Sequence, residues 1–282
     1  TILKNMEQPL IKFSEVFEGV IVKRPSKVCK TPYVADVVIN DNEIQAHSPS
    51  LGCCGLADKE AFVYMTKLEE TKKTKVCSHR IELAVYKEKG QDVIIGINPK
   101  LAETIAEECL KNNYILNLQN VQKYKREVKY LNSRFDFAGT DETGKEFVLE
   151  IKNVPLADYV DVEKKERKKY LDLIESKEFN DKIAYFPDGY RKKKNEVVSP
   201  RALKHIQELE EIAIEGNIRA ILCFVIQRKD VSRFQTSNLD PIYKEAVYKA
   251  HQNGVEIKTL QLQWTRNGEC YFIRNDLPIS LC

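Results

Sequence analysis

Two adjacent segments of the sequence carry charged side chains on strands that are otherwise apolar. In SRFDFAG, the two-residue alternation of a strand puts Phe135 and Phe137 on one face and Asp136 on the other. In EFVLEIK, the same alternation puts Glu150 and Lys152 together on the face opposite the apolar side chains. Two carboxylates and a lysine are the residue types that hold a divalent cation and act on a water molecule beside it.

The turn DETG joins the two strands into a predicted hairpin, with Gly144 available for a left-handed backbone conformation. A three-residue loop at 142–144 brings Asp136 directly across from Glu150, with about 5 Å between their Cβ atoms. Lys152 then follows about 7 Å further along the same face of the strand. The hairpin therefore predicts that all three charged side chains lie close together.

Facing carboxylates repel each other unless a cation lies between them. A hard divalent cation such as Mg²⁺, with Mn²⁺ as an alternative, suits Asp136 and Glu150. Lys152 would assist the attacking water and offset developing negative charge, as in the hydrolysis of a phosphodiester. The alternative is a solvent-facing hairpin in which Lys152 forms a salt bridge with Asp136 or Glu150.

The composition is that of a globular protein with no predicted membrane helix. The 282 residues are 43% hydrophobic and 31% charged, and no run of about 18 apolar residues occurs. The first residues, TILKNMEQPLIKF, have no apolar signal segment, so we expect an intracellular, cytoplasmic protein, or a nuclear one if the host cell has a nucleus. A net charge of +3 neither requires nor excludes nucleic acid, and the oligomeric state, including a homodimer, stays open.

The order of strands and helices predicts two domains, 1–90 and 91–282, of mixed α+β or α/β class. Five short strands separated by turns predict a small β-barrel in the first domain, with the oligonucleotide-binding (OB) barrel as one solution. In the second domain, Asn98 and Pro99 predict the start of a helix, and the charged stretch 161–182 predicts an exposed helix. Strands and helices then alternate, and the apolar IRAILCFVIQ predicts a buried central strand of a parallel sheet.

Eight cysteines occur in the chain, and none forms a CxxC pair. A structural zinc site is one interpretation, because the adjacent Cys53 and Cys54 lie in the same third of the sequence as other cysteines and histidines. Free thiols in a reducing compartment are the alternative that the length and the absent signal segment favour.

The segments around the charged hairpin resemble a known protein family. D136, followed by E150-x-K152, resembles the PD-(D/E)xK nuclease signature, and EVKYLNSRFDF, VLEIKNVPLAD, AYFPDG and PRALKHIQELEEIA resemble the sugar-fermentation-stimulation protein A (SfsA) family. HSPSLG at 47–52 is similar to that family's H-x-P-N-[ST]-G but has Ser50 and Leu51 in place of its Asn and Ser/Thr. With gaps, the resemblance extends from about residue 17 to about residue 260.

The resemblance implies a five-stranded OB-like barrel joined to a PD-(D/E)xK restriction-endonuclease-like α/β domain. It implies a Mg²⁺-dependent nuclease that acts on DNA, with RNA as a less favoured substrate. A non-catalytic, DNA-binding regulatory protein is the alternative, because bacterial members were long described as regulators of sugar metabolism. A sugar-related enzyme, suggested only by the family name, has no support in the residues.

Individual roles follow from the same resemblance. Asp136 and Glu150 match the metal-binding acids, Lys152 matches the motif lysine, and Glu127 either adds a carboxylate or fixes its strand. Pro187 and Asp188 match the family's FPD segment. Arg201 and His205, four residues apart, would share one helix face toward phosphate, although a half-buried structural histidine is an equal alternative.

Three basic regions are candidates for nucleic-acid binding. The segment 122–134 carries five basic residues and one acidic residue, with tyrosines between them, which suits a phosphate backbone or equally a lysine-protected strand edge. The loop 191–194 is a denser patch, and an arginine follows the first strand. The residues predicted to contact nucleic acid are Arg24, Lys129, Arg134, Lys192, Lys193, Arg201 and His205.

Overall fold

The computed structural model describes residues 8–50, 55–69, 76–187 and 196–281. The strands are β1 (Ile11–Lys12), β2 (Phe17–Lys23), β3 (Val34–Ile39), β4 (Asn42–His47), β5 (Phe62–Lys67), β6 (His79–Glu88), β7 (Gln91–Gly96), β8 (Lys123–Tyr130), β9 (Ser133–Thr140), β10 (Glu146–Val154), β11 (Ala157–Asp158), β12 (Lys182–Phe186), β13 (Arg219–Ile226), β14 (Val231–Thr236), β15 (Glu256–Trp264), β16 (Glu269–Arg274) and β17 (Ile279–Ser280). The helices are α1 (Pro99–Lys111), α2 (Leu171–Ser176), α3 (Pro200–Glu215) and α4 (Pro241–Gln252), and a 3₁₀ turn covers Arg167–Tyr170.

The five strands predicted in the first ninety residues are present as β2 to β6, and they close into a ring. Strand β2 pairs with β3 and β5, β3 pairs with β4, and β5 pairs with β6. The ring closes where β4 runs parallel to β6, with Ala46 opposite His79 and His47 opposite Arg80. Alternate residues point inward and are fully buried, as Ile81 is, so the ring has its own apolar core.

A seven-stranded sheet in the order β1-β16-β15-β13-β10-β9-β8 forms the second half of the molecule. Strand β13 is parallel to both of its neighbours, β10 and β15, and seven of its eight residues are buried. Helix α1 packs on one face of this sheet, and α3 and α4 pack on the other. The predicted central strand and the predicted α/β layer are therefore confirmed.

Two strands pair with the sheet formed mainly by the other side of the predicted boundary at residue 90. Strand β7 (Gln91–Gly96) pairs with β6 and so extends the sheet of the N-terminal half. Strand β1 (Ile11–Lys12) pairs instead with β16 at the edge of the seven-stranded sheet. A third, four-stranded sheet, β11-β12-β14-β17, lies beside the others. Each half of the sequence therefore contributes a strand to the other half.

The prediction of one exposed helix over 161–182 is wrong. Only α2, six residues long, is α-helical there, and it follows a short 3₁₀ turn. The stretch has mixed charges but no continuous apolar stripe that would hold a longer helix against the core. Side chains fix it instead: the Asp161 carboxylate accepts hydrogen bonds from Gln235, Ser237 and Asn238, and Phe179 packs into the barrel core.

The helix predicted at Asn98 and Pro99 forms, because the Asn98 side chain accepts a hydrogen bond from the backbone N–H of Lys100. Ser199 caps α3 in the same way by accepting from the N–H of Ala202. Within the described ranges, no helix is long and apolar enough to cross a membrane.

Candidate active site

The predicted register of the β9–β10 hairpin is confirmed. Phe137 lies opposite Leu149, and Gly139 lies opposite Phe147. Backbone hydrogen bonds close the loop at 142–144, where Gly144 has a φ of +84°. This register brings Asp136 and Glu150 to the same end of the hairpin.

The hairpin ladder stops where the site begins. The last β9–β10 pair is Phe137 with Leu149, and beyond it the Asp136 carboxylate accepts a hydrogen bond of 2.7 Å from the backbone N–H of Ile151. On the other side, the β8–β9 pairing lacks a Glu127–Asp136 pair, and Glu127 has a φ of +51°. The strand is therefore irregular at Asp136, so that its side chain reaches toward β10.

This irregularity corrects one prediction. Phe135 and Phe137 were expected on one face, but they lie in the cores on opposite sides of the sheet. Phe135 packs near His205 of α3, with ring centroids 5.9 Å apart, whereas Phe137 packs near Tyr124 at 6.1 Å. Period-two alternation fails because the backbone between the two phenylalanines does not continue the regular strand.

Glu150 is the centre of the site. Its Oε1 atom is 2.5 Å from Lys152 Nζ and 2.5 Å from His205 Nδ1. Its Oε2 atom is buried and has no hydrogen-bond partner among the described residues. The Lys152–Glu150 salt bridge that the alternative interpretation expected does form, but the side chains are only 11% and 3% exposed, so the hairpin does not face solvent here.

The two carboxyl groups have opposite pKa shifts. Burial, and then the neighbouring charge of Glu150, raises the pKa of Asp136 to about 7. Burial would raise the pKa of Glu150 as well, but the Lys152 ammonium and the hydrogen bond to His205 outweigh it and lower this pKa. Negative charge on both groups is therefore costly without a further cation.

Asp136 and Glu150 line a cavity of about 620 Å³. Its walls come from the barrel at Ser50, from the first turns of α1 and α3, and from the end of β10. Arg201, in the first turn of α3, lines it and is exposed. The positive N-terminal ends of two helices therefore border a cavity that two acidic residues also line.

The barrel side of this region carries additional positive charge. Burial, and then the charges of Arg80 and Lys100, lowers the pKa of His47. His47 and Arg80 are neighbours in the β4–β6 pairing, and Lys100 is in the first turn of α1. Arg80 of the barrel and Lys100 of α1 thus lie close to His47, and Lys100 directly follows Pro99, which lines the cavity.

The other predicted residues lie further out. Glu127 is exposed and forms an ion pair of 3.1 Å with Arg134, and Lys129 is exposed on β8. The Arg24 guanidinium donates hydrogen bonds to the carbonyl oxygens of Ser50, Pro32 and Ala57, so it holds the loops around Ser50. Asp188, Lys192 and Lys193 lie outside the described residues.

Two cavity residues did not emerge from the sequence. Glu103 of α1 lines the cavity and contributes to the raised pKa of Asp136. Asn153 lines it directly after Lys152. The position of Asn153 directly after the E-x-K triplet could have indicated it from the sequence. Glu103 is 33 positions from Asp136, and only packing brings these two residues near each other.

Comparison with known sequences places the chain in a family. The sugar fermentation stimulation protein RE domain (SfsA) matches residues 100–268. The chain belongs to the SfsA family. The sugar fermentation stimulation protein homolog of Shewanella woodyi is 31% identical over 91% of this chain and 95% of its own length. That of Clostridium novyi is 29% identical over 88% of this chain and 90% of its own length.

The SfsA fold is also supported by a solved structure. The structure of Pyrococcus furiosus SfsA in complex with Ca²⁺ superposes with a TM-score of 0.74, covering 97% of this chain and 99% of the other, at 22% sequence identity. The resemblance predicted from the motifs is therefore confirmed, and the mixed α/β architecture is that of SfsA.

No group of three or more His, Cys, Asp or Glu side chains in the described ranges is arranged to hold a metal ion, and the Asp136–Glu150 pair supplies two such side chains. Cys29 and Cys77 are half-buried free thiols, and Cys109, Cys223 and Cys270 are buried ones. Cys53 and Cys54, on which the zinc interpretation depended, lie outside the described residues.

Proposed function

We propose that this SfsA protein is a metal-dependent nuclease that hydrolyses phosphodiester bonds of DNA, with RNA as the alternative substrate. The observation that carries the proposal is the Asp136–Glu150 pair at a cavity, with Glu150 Oε2 buried and unpartnered among the described residues. Buried polar atoms normally have a partner, and a cation supplies one for a carboxylate oxygen. A purely structural site would gain nothing from an unpaired acid.

Asp136 and Glu150 would hold the cation, which we propose to be Mg²⁺ or Mn²⁺. The donor set fits: Lys152 and His205 both bind Oε1 of Glu150, so Oε2 stays available, and the raised pKa of Asp136 reflects a charge that needs a positive partner. Two carboxylates leave several coordination positions for water and phosphate oxygens, as hard divalent cations prefer. The Ca²⁺ complex of the Pyrococcus furiosus relative is consistent with an oxygen-ligand site.

The protein side chains have separate roles in this proposal. Bound Mg²⁺ would polarise the phosphate and lower the pKa of a water molecule. Lys152 lies beside Glu150 and lines the cavity, where its ammonium orients the attacking water and offsets charge that develops on phosphate. His205 is a positioning residue, because it holds Oε1 of Glu150 from α3. Arg201 and the N-terminus of α3 favour a phosphate at the cavity.

We also propose that the barrel is an OB-like nucleic-acid-binding domain and that the seven-stranded sheet with its helices is a PD-(D/E)xK domain. The proposed division is at residues 1–90 and 91–282, apart from β1 and β7, which pair across that boundary. In support, the ring order β2-β3-β4-β6-β5 with a parallel β4–β6 closure suits a five-stranded OB barrel. Arg80 and Lys100 would guide the strand toward the site, and Lys129 on β8 would contact phosphate outside it.

A cleavage assay tests the proposal. Labelled single- and double-stranded DNA and RNA are incubated with Mg²⁺ or Mn²⁺, and with EDTA as the metal-free control. The wild type is compared with Lys152→Ala and with Asp136→Asn, which keeps the hydrogen bond from Ile151 N–H. Asp276→Asn is a matched control, because Asp276 is paired with Arg274 on the surface. We expect metal-dependent products from the wild type and the control, and a loss on the order of 10³-fold or more in both site variants.

Tight, salt-sensitive binding without products from any substrate would contradict the nuclease and support a DNA-binding regulatory protein instead. In that case Asp136→Asn would leave binding and function unchanged. Products that persist in both site variants would point to a contaminating nuclease and also contradict the proposal.

A further inference from the structure

A chain of three hydrogen-bonding side chains leads from the core to the cavity. The Trp264 indole N–H donates to Oε1 of Gln227 at 2.9 Å. Nε2 of Gln227 donates to Oδ1 of Asn153 at 2.7 Å. Trp264 is 3% exposed and Gln227 is fully buried, whereas Asn153 is half-buried and lines the cavity.

The chemistry of the indole fixes the direction of the whole chain. An indole N–H can only donate, so the Gln227 atom that it meets must be the carbonyl oxygen. The amide nitrogen of Gln227 then faces Asn153, which must present its own oxygen. The NH₂ group of Asn153 is therefore left over, and no group in the described part of the chain accepts a hydrogen bond from it.

Close packing keeps this arrangement rigid. The backbone N–H of Gln227 donates to Val154, and its carbonyl accepts from Gly96, the last residue of β7. A Cβ atom on Gly96 would lie 2.1 Å from Oε1 of Gln227, so only glycine allows the approach. Gln227 cannot turn its amide over without losing the bond from Trp264.

The Asn153 side chain lies on the α1 side of the sheet and lines the cavity. Asn153 is two residues after Ile151, which packs in the core on the α1 side of the sheet, and its partner Gln227 contacts Trp264 of the same core. Lys152, between them, points to the other face. Because Asn153, Asp136 and Glu150 line the same cavity, a strand bound there would come within reach of the Asn153 amide.

We propose that Asn153 binds the nucleic-acid strand, donating a hydrogen bond from its NH₂ group to an oxygen of a nucleotide beside the scissile phosphate. The Trp264–Gln227 pair is its positioning relay, which presents the donor already oriented and so reduces the entropy lost on binding. The assignment rests on the nuclease function proposed above. The acceptor is either a phosphate oxygen or a base carbonyl oxygen, both of which accept from a neutral amide.

Binding measurements test the assignment apart from cleavage. Fluorescence anisotropy of fluorescein-labelled 20-mers of dT and dA, and of a mixed-sequence duplex, is measured with Ca²⁺ for the full-length wild type, Asn153→Ala and Trp264→Phe. Phe keeps a ring to stack on Phe13 but removes the N–H. We expect Asn153→Ala to raise the Kd about tenfold and Trp264→Phe to raise it about threefold, with unchanged Ca²⁺ affinity.

The probes distinguish the two oxygen sources. A loss of binding that is equal for dT and dA identifies a phosphate oxygen, whereas a loss confined to dT identifies a base carbonyl, because adenine has none. Either pattern supports the proposal. Wild-type Kd values for Asn153→Ala on every probe would overturn it, a wild-type Kd for Trp264→Phe would overturn the relay, and a wild type that binds no probe would overturn the whole inference.

Kinetics on a cleaved substrate distinguish a loss of strand positioning by Asn153 from a general loss of enzyme activity. Asn153→Ala should raise KM about tenfold with kcat within threefold, measured well below its thermal midpoint, which falls because Gln227 Nε2 loses its acceptor. If the wild type cleaves nothing but Asn153→Ala still weakens binding, the nuclease assignment fails and the strand-binding role stands. If the wild type cleaves and Asn153→Ala matches it in both KM and Kd, the strand-binding role fails alone.

Discussion

Two groups of buried charged side chains differ in how completely their charges are paired. The cavity cluster consists of Asp136, Glu150, Lys152 and His205. The Glu88 cluster consists of Glu88 from the barrel together with Lys182, Arg228 and Asp230 from the second half of the chain. Both are largely removed from water, where an unpaired charge is costly, so the same physical rule applies to both.

The Glu88 cluster satisfies that rule within itself. Arg228 binds Asp230 through two hydrogen bonds of 2.7 Å, and Lys182 lies 3.0 Å from Glu88 and 3.1 Å from Asp230. Two acids face two bases. Burial would raise the pKa of Asp230, but Arg228 and Lys182 outweigh it and lower this pKa. Such a cluster joins the barrel to the second half of the chain.

The cavity cluster does not satisfy the rule. Its two acids face the single permanent cation of Lys152, Asp136 has a raised pKa of about 7, and Glu150 Oε2 has no partner among the described residues. The difference indicates that completely paired buried charges hold a structure together, whereas incompletely paired ones next to a cavity are arranged for a ligand.

The largest expected effect on folding is in the Glu88 cluster. Asp230→Asn leaves two buried cations with one acid, and we expect it to lower the free energy of unfolding by about 3–5 kcal/mol. Urea denaturation measures the loss. Asp276→Asn, on the surface, should change stability by about 0.5 kcal/mol or less. A similarly small loss for Asp230→Asn would contradict the structural role of this cluster.

Replacing Asp136 in the cavity cluster should raise the free energy of unfolding, whereas replacing Asp230 lowers it. Asp136 has a folded-state pKa of about 7 against an ordinary value of 3.8, so its contribution to stability is present below pH 3.8 and is lost as the pH rises to about 7. Without metal at pH 8, Asp136→Asn should therefore be more stable than the wild type, on the order of 2–4 kcal/mol.

Urea denaturation across pH 3.5 to 8 in EDTA measures this difference, which should vanish at the acid end. Saturating Ca²⁺ should stabilise the wild type and not Asp136→Asn, because only the wild type retains both carboxylates. A variant that is equally stable at every pH, or is stabilised equally by Ca²⁺, would place Asp136 outside a cation site.

The smallest of the three effects concerns His205, which acts through Glu150. Losing the His205 bond leaves Oε1 with Lys152 as its partner and loosens the carboxylate. His205→Ala should therefore lower kcat/KM about 10- to 100-fold and raise the metal concentration for half-maximal activity. His205→Gln retains a donor and should recover part of both losses. If His205→Ala changes stability but leaves the metal dependence of the wild type, the residue only fills the core.

Sequence patterns predicted much of the scaffold. The five barrel strands, the capped helices α1 and α3, the buried β13 and the β9–β10 register were all predictable, because each depends on neighbours within a few residues: side-chain alternation, an N-cap followed by Pro, or a three-residue turn. The hairpin register then brought Asp136 and Glu150 together from local rules alone. The family motifs identified SfsA.

Local rules failed where distant contacts decide the backbone. In the charged stretch 161–182, which was predicted to be helical, only α2 forms an α-helix. The reason is that Asp161 and Phe179 contact segments that are remote in sequence. Alternation failed between Phe135 and Phe137 because Asp136 bonds to a backbone N–H of β10 in place of a regular ladder.

The sequence by itself therefore determined that Asp136, Glu150 and Lys152 lie close together, because turn geometry and strand period fix neighbours that are close along the chain. Only the tertiary structure decided how their charges are balanced. His205 is 55 positions from Glu150, and Trp264 reaches Asn153 through Gln227, 74 positions further along the chain than Asn153. Such contacts depend on how helices and sheets pack, and packing depends on the whole set of buried side chains at once.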